Sequence, residues 1–94
     1  MKHCIIAKFN DTVTDKAAMI DHVEALFSSA PALDGIHGHT VRRNCVDREN
    51  RYDLAIVIDM DKAALPAWDA SGLHREWKSR FGSYLAAKAI FDFE

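Results

Sequence analysis

The sequence predicts an α+β domain in which four antiparallel strands are covered on one side by helices, in the order βαββαβ. Two observations carry this. Apolar and polar residues alternate in short runs at His3 to Phe9 and Tyr52 to Met60, whereas apolar residues recur at three- and four-residue steps from Met19 to Ala30 and from Leu73 to Leu85. The third observation is size: 94 residues, 49% hydrophobic and 28% charged, suffice for one core, so residues 1–94 are expected to form a single domain.

The first strand ends at the turn formers Asn10-Asp11. The first helix buries Met19, Ile20, Val23, Leu26, Phe27 and Ala30; Thr14 is expected to cap it and Pro31 to stop it. Asp34-Gly35 turns the chain into a weaker strand, Ile36 to Arg43, and residues 44–51 are polar enough for a loop. Tyr52 to Met60 is the strongest strand of the chain. Asp61 to Asp69 reads as a short helix made irregular by Pro66, and Ser71 to Ala86 as a longer one. A last strand is expected over Ala87 to Glu94, with Ala89, Phe91 and Phe93 on one face and Ile90 on the other. With right-handed crossovers, this order makes a ferredoxin-like sandwich with both helical layers on the same sheet face. Strand one offers His3, Ile5, Ala7 and Phe9 to one side and Cys4, Ile6 and Lys8 to the other; strand three offers Leu54, Ile56 and Ile58 against Ala55 and Val57. Both faces are therefore largely apolar, and the one without helices is an expected association site.

Twelve Lys and Arg against fourteen Asp and Glu give a net charge of -2, and no like-charge run exceeds Arg42-Arg43, which argues against a nucleic-acid partner. The longest apolar stretch, Leu54 to Ile58, is far shorter than the roughly 20 residues of a membrane span. No signal-peptide pattern follows Met1-Lys2, and Cys4 and Cys45 make no disulfide framework, so the expected compartment is the cytoplasm. Gly35, Gly38, Gly72 and Gly82 form neither a phosphate loop nor a dinucleotide fingerprint, and no cofactor is expected. Gly35-Ile36-His37-Gly38 fits the GxxG of KH domains in letters only, lacking basic residues and helical flanks. His37 and His39, with His22, have metal-like spacing but no fourth ligand, so no metal site is expected.

His74 is the principal chemical candidate. At about 100° per residue it falls inside the apolar arc of Leu73, Trp77, Phe81 and Leu85, where an imidazole needs a polar partner and, beside a cavity, suits general acid–base work. A satisfied core histidine is the competing reading. His3 starts strand one on the same side as Ile5.

Several short motifs, taken in order, resemble the stress-responsive dimeric α/β-barrel (Dabb) family over essentially the whole chain. They are Lys2-His3 with Lys8-Phe9 six residues later, Tyr52-Asp53-Leu54-Ala55, His74 ahead of an aromatic helix, and Phe91-Asp92-Phe93-Glu94. The resemblance implies a homodimer in which two ferredoxin-like protomers pack sheet on sheet. A few plant members of the family are polyketide cyclases that use a His and a Tyr. His74 matches that His, but Trp68 stands at the Tyr position and cannot exchange a proton at neutral pH. Of the family's His-Pro-x-His run, Ser71-Gly72-Leu73-His74 keeps only the last residue. His3 and Asp92 match pocket residues of the cyclase-type relatives.

The leading expectation is thus a small homodimeric α/β-barrel protein that binds a small, largely apolar molecule beside His74. His74 would be the acid or base, and His3, Ile5, Trp68, Trp77, Phe81 and Asp92 would be the ligand contacts, with His3 and His74 sharing a cavity between the long helix and the sheet. Two other readings stay open: a cofactor-independent enzyme, resembling either the cyclases or the antibiotic-biosynthesis monooxygenases, and a structural stress protein without a ligand.

Overall fold

The computed structural model describes residues 1–94, and it opens on the first of the two alternating runs. β1 (Lys2–Phe9) lies in the middle of a four-stranded antiparallel sheet whose strand order is β2-β3-β1-β4, with β2 Ile36–Arg43, β3 Leu54–Met60 and β4 Leu85–Phe93. The two strands with the clearest alternation of buried and less buried residues therefore occupy the centre, with the polar β2 at one edge and the apolar but largely exposed β4 at the other. Pairing Ile5 with Ile56 and Cys4 with Val57 puts every second residue on the same side. Ile5, Ala7, Phe9, Leu54, Ile56 and Ile58 are all buried beneath the helices. A one-residue slip would turn this whole set outward, so burial itself fixes the register.

α1 (Lys16–Ser29) is capped by Asp15, whose carboxylate accepts from the Ala18 N–H at 3.0 Å. The expected cap, Thr14, thus lies one residue too early; a carboxylate at the positive end of the helix both accepts the bond and meets the dipole favourably. Ala30, directly before Pro31, is extended and ends the helix as expected. A single 3-10 turn at Lys62–Ala64 leads into α2 (Leu65–Asp69), with Pro66 in its first turn. Ser71 then joins α2 to α3 (Gly72–Phe81): its hydroxyl donates to the Trp68 carbonyl at 2.7 Å and accepts from the His74 N–H at 3.1 Å.

α3 ends five residues before the expected Ala86. A 3-10 turn at Gly82–Tyr84 follows, and Leu85 already pairs with Phe9 in the sheet. The Tyr84 carbonyl accepts from the Asn10 N–H at 2.8 Å, so this backbone is recruited by β1 rather than by the helix. Leu85 therefore belongs to β4, which begins two residues earlier than expected. β3 likewise starts at Leu54 rather than Tyr52, because Asp53 serves the strand ends. Its carboxylate accepts from the Phe9 N–H at 2.8 Å and from Lys16 at 3.0 Å.

Trp68, Trp77, Phe27 and Phe81 fill the space between helices and sheet, with Trp77 5.7 Å from Phe81 and 6.2 Å from Phe27 between ring centroids. The other sheet face carries no helix. Cys4, Ile6, Ala55, Val57, Phe91 and Phe93 share it, with Phe91 64% and Phe93 45% exposed and their rings 6.1 Å apart. At its margin Lys2 lies 2.9 Å from Asp59, and that hydrogen bond holds the Asp59 carboxyl below its ordinary value. No helix is long and apolar enough to cross a membrane.

Trp77 is 1% exposed at the middle of this core. Trp77→Ala should cost about 3 to 5 kcal/mol in urea unfolding, a large part of the roughly 5 to 15 kcal/mol available to a domain. A loss under about 1 kcal/mol would show that α3 does not depend on this anchor.

Candidate functional site around Trp68 and His74

The Ser71 cap sets the site. By closing the first turn of α3 it fixes His74 beside Trp68 of α2, with ring centroids 5.3 Å apart. His74 Nδ1 lies 2.9 Å from the Asp69 carbonyl. A carbonyl only accepts, so Nδ1 carries a proton, and in the neutral ring the lone pair is on Nε2. This half-buried imidazole is therefore held in the tautomer that a general base requires.

Trp68 is 1% exposed, and its buried indole Nε1–H has no acceptor within the chain. A buried donor left unpaired costs about 1 to 3 kcal/mol, which singles this atom out in an otherwise satisfied interior. On another flank of the same indole, 6.2 Å away and edge-on, sits His3. His3 is buried at the start of β1, directly across from Asp92 on β4, and its Nδ1 is 2.5 Å from the Asp92 carboxylate. The pair is a second imidazole oriented through Nδ1. Burial, and after it the Asp92 charge, push the Cys4 thiol up from its ordinary value.

Two spaces adjoin this cluster. An open groove of about 970 Å³ runs between the end of α1 and the start of α3, with His74, Asp69, Arg75 and Lys78 along its polar side. A smaller, mainly apolar cavity of about 150 Å³ lies behind it, walled by Trp68, Phe27, Ile58 and His39. Ala30, Pro31, Leu33 and Leu73 line both and form the neck between them.

The sequence-based expectations are met unevenly by these positions. Trp68 and His74 are brought together, and so are His3 and Asp92. His3 and His74 do not share an opening, because the Trp68 indole stands between them and His74 borders a groove between helices rather than a space between α3 and the sheet. Ile5, Trp77 and Phe81 are core residues outside the lining of both spaces; Trp77 instead borders a separate depression of about 320 Å³ beside Lys78, Gly82 and Lys88, away from His74. His37 and His39 are engaged separately, His37 with Asp61 at 2.8 Å and His39 with the Phe27 ring at 5.7 Å, and no group of three or more His, Cys, Asp or Glu is arranged to hold a metal. The part His39, Leu33 and Leu73 play in lining these spaces escaped the sequence reading, which took His39 only as metal-like spacing and Leu73 only as part of the apolar arc. The inward-facing pattern His39, Val41 on β2 was a usable signal for the first, whereas no periodicity marks the loop that carries Leu33.

A βαββαβ sandwich with one bare apolar sheet face and an aromatic-histidine cluster beneath its helices defines a small α/β-barrel-type domain. The chain belongs to the stress responsive A/B barrel domain family, whose model matches residues 1–94. It is similar to a dimeric ferredoxin-like protein of unknown function from Thermobifida fusca, with 21% identity, 98% of this chain and 87% of that chain covered, and a TM-score of 0.80. A dimeric protein of unknown function and ferredoxin-like fold from Bacteroides fragilis is similar at 15% identity, covering 99% and 93%, with a TM-score of 0.81. A candidate antibiotic biosynthesis monooxygenase from Bordetella bronchiseptica matches at 18% identity, covering 99% and 93%, with a TM-score of 0.63. No curated protein matches the chain.

The thiol environment can be checked directly. At pH 8 the exposed Cys45 should react with a maleimide at least about tenfold faster than Cys4, whose thiolate is disfavoured. Because Asp92 acts to raise the Cys4 pKa, Asp92→Asn should lower it and speed Cys4 labelling. Equal rates for the two thiols, read by peptide mass spectrometry, would contradict the assignment.

Proposed function

We propose that the chain is a homodimeric α/β-barrel protein that binds a small, largely apolar molecule bearing one hydrogen-bond acceptor, with its apolar body in the cavity behind Trp68 and its polar end toward His74. The observation that carries this reading is the 150 Å³ apolar cavity with Trp68, an unpaired buried donor, in its wall. A space of that size holds a molecule about as large as benzene. The indole N–H is covered as the wall stands, so a ligand carbonyl completes the missing hydrogen bond once the wall gives slightly, and the wider groove leaves room for a polar or extended remainder. Homodimerisation is supported by the uncovered apolar sheet face and by the dimeric state of the similar proteins.

A second reading, a cofactor-independent acid–base enzyme, is favoured by one specific feature: both His3 and His74 are oriented through Nδ1. In that reading His74 Nε2 takes a proton from a bound carbonyl compound. Trp68 donates a hydrogen bond to the oxygen that gains charge, but it supplies no acidic hydroxyl of the kind a tyrosine would.

Acetophenone and its carbonyl-free analogue propylbenzene test the binding reading. In proton–nitrogen correlation spectra, acetophenone should move the Trp68 indole N–H signal saturably and downfield, whereas propylbenzene should shift it little. Trp68→Phe should weaken acetophenone about five- to tenfold, the worth of one hydrogen bond, and leave propylbenzene binding nearly unchanged. Absence of saturable binding by either probe would leave the structural reading in place.

A further inference from the structure

The cavity behind Trp68 has walls of two kinds. Phe27 stands on α1, Ile58 on β3, Trp68 on α2, Leu73 on α3 and His39 on β2, so hydrogen-bonded helix or strand backbone carries each of them. The run from Ala30 to Leu33 is different, because it belongs to the connection between α1 and β2. Ala30, Pro31 and Leu33 also line the outer groove, which makes this run the partition between the two spaces.

The partition is lightly tied along its length and firmly tied at its ends. From Pro31 to Asp34 the only backbone hydrogen bond is short-range, the Ile36 N–H donating to the Leu33 carbonyl at 3.1 Å, and Pro31 has no N–H to give. Beyond it the chain is pinned. The Gly35 carbonyl accepts from the Asp61 N–H at 2.7 Å, and His37 Nε2 lies 2.8 Å from the Asp61 carboxylate. Gly35 sits at a φ of +79°, where a Cβ would come within 2.7 Å of the Ala64 Cβ, so no other residue fits that seam. On the upstream side the Ser29 hydroxyl donates to the Leu26 carbonyl at 3.3 Å and closes the last turn of α1. Between these anchors one side chain holds the run inward: Leu33 is half-buried against the core, while Pro31 and Ala32 are exposed. Moving the run outward thus removes one apolar contact and breaks no long-range hydrogen bond, the condition under which a segment opens well before the fold does.

The Trp68 indole N–H needs such an opening, since it is covered and unpaired as the wall stands. We propose that Pro31–Asp34 is a movable wall, latched by Leu33, whose outward swing joins the inner cavity to the groove and uncovers the Trp68 indole. Its use as a ligand entrance rests on the binding function proposed for this cavity; its motion does not. The wall stands over Ile58 and Trp68 on the helix side of the sheet, away from the face that a second copy would cover.

Deuterium exchange of the full chain, followed by nuclear magnetic resonance, measures the motion without any ligand. The Trp68 indole N–H should be at least about tenfold less protected than the amides of Ile5 and Ile56, which exchange only when the centre of the sheet opens. Leu33→Ala should speed indole exchange by about another tenfold with those amides unchanged. Pro31→Gly, which frees the backbone and keeps the latch, should act in the same direction. Ile58→Val, in the wall held by β3, should leave indole exchange as it was. With acetophenone as the probe, Pro31→Gly should raise the association and dissociation rates together and leave Kd within about twofold. Faster indole exchange in both loop variants without saturable acetophenone binding would support the movable wall and retire the ligand. Indole protection equal to that of Ile5 and Ile56, or changed by the loop variants only in step with those amides, would overturn the wall. Acetophenone rates unmoved by Pro31→Gly would overturn the entrance.

Discussion

The antiparallel pairing of β1 with β3 is the constraint on which the rest of the molecule depends. It is the pairing of the two central strands, and it brings Ile5 to Ile56 and Cys4 to Val57. Side chains on a strand alternate strictly, so this single register decides two outcomes at once. One set of residues goes under the helices and forms the core. The other set makes an apolar surface that nothing in the chain covers. His3 is drawn into the buried set by the same alternation, and its cross-strand neighbour Asp92 is what makes an imidazole tolerable there.

The helical layer adds the second half of the site through one side chain, Ser71. Its hydroxyl links the last turn of α2 to the first turn of α3, so Trp68 and His74 are positioned by one junction. Trp68 then acts as a partition, touching His74 on one flank, His3 on another and Phe27 on a third. Its size closes the space between the histidines and displaces the available volume outward, toward the neck at Ala30, Pro31, Leu33 and Leu73. An indole in that place gives a fixed donor and no exchangeable acid, which tilts the chemistry toward recognition of an acceptor.

Much of this was legible in the residues, and what was not has physical causes. The central strands were readable because their alternation spans whole elements, and β2 was readable from the turn at Asp34-Gly35. The end of α3 was misjudged because Tyr84 and Leu85 continue a helical spacing, while the sheet offers that backbone hydrogen bonds that sequence periodicity cannot register. The Thr14 and Asp15 caps are both of a suitable type, and only the position of the Ala18 N–H separates them. For the site, residue types and faces were recoverable, whereas the shape of the void was not. Whether an aromatic residue lines a cavity or fills it depends on packing in three dimensions, and here Trp77 and Phe81 fill while Trp68 divides.

If one face of the sheet is covered by helices and the other by a second copy, the open-face alternation has to carry self-association. Sedimentation equilibrium of the chain and of Val57→Asp, with circular dichroism as the check on folding, tests this most directly. Val57 lies mid-strand on the bare face, pointing away from the core. The account predicts a mass of two copies at micromolar concentration for the unmodified chain, and a folded single copy for Val57→Asp, since an unpaired carboxylate inside an apolar interface is strongly disfavoured. A stable single copy of the unmodified chain, or a variant that remains a dimer, would contradict it.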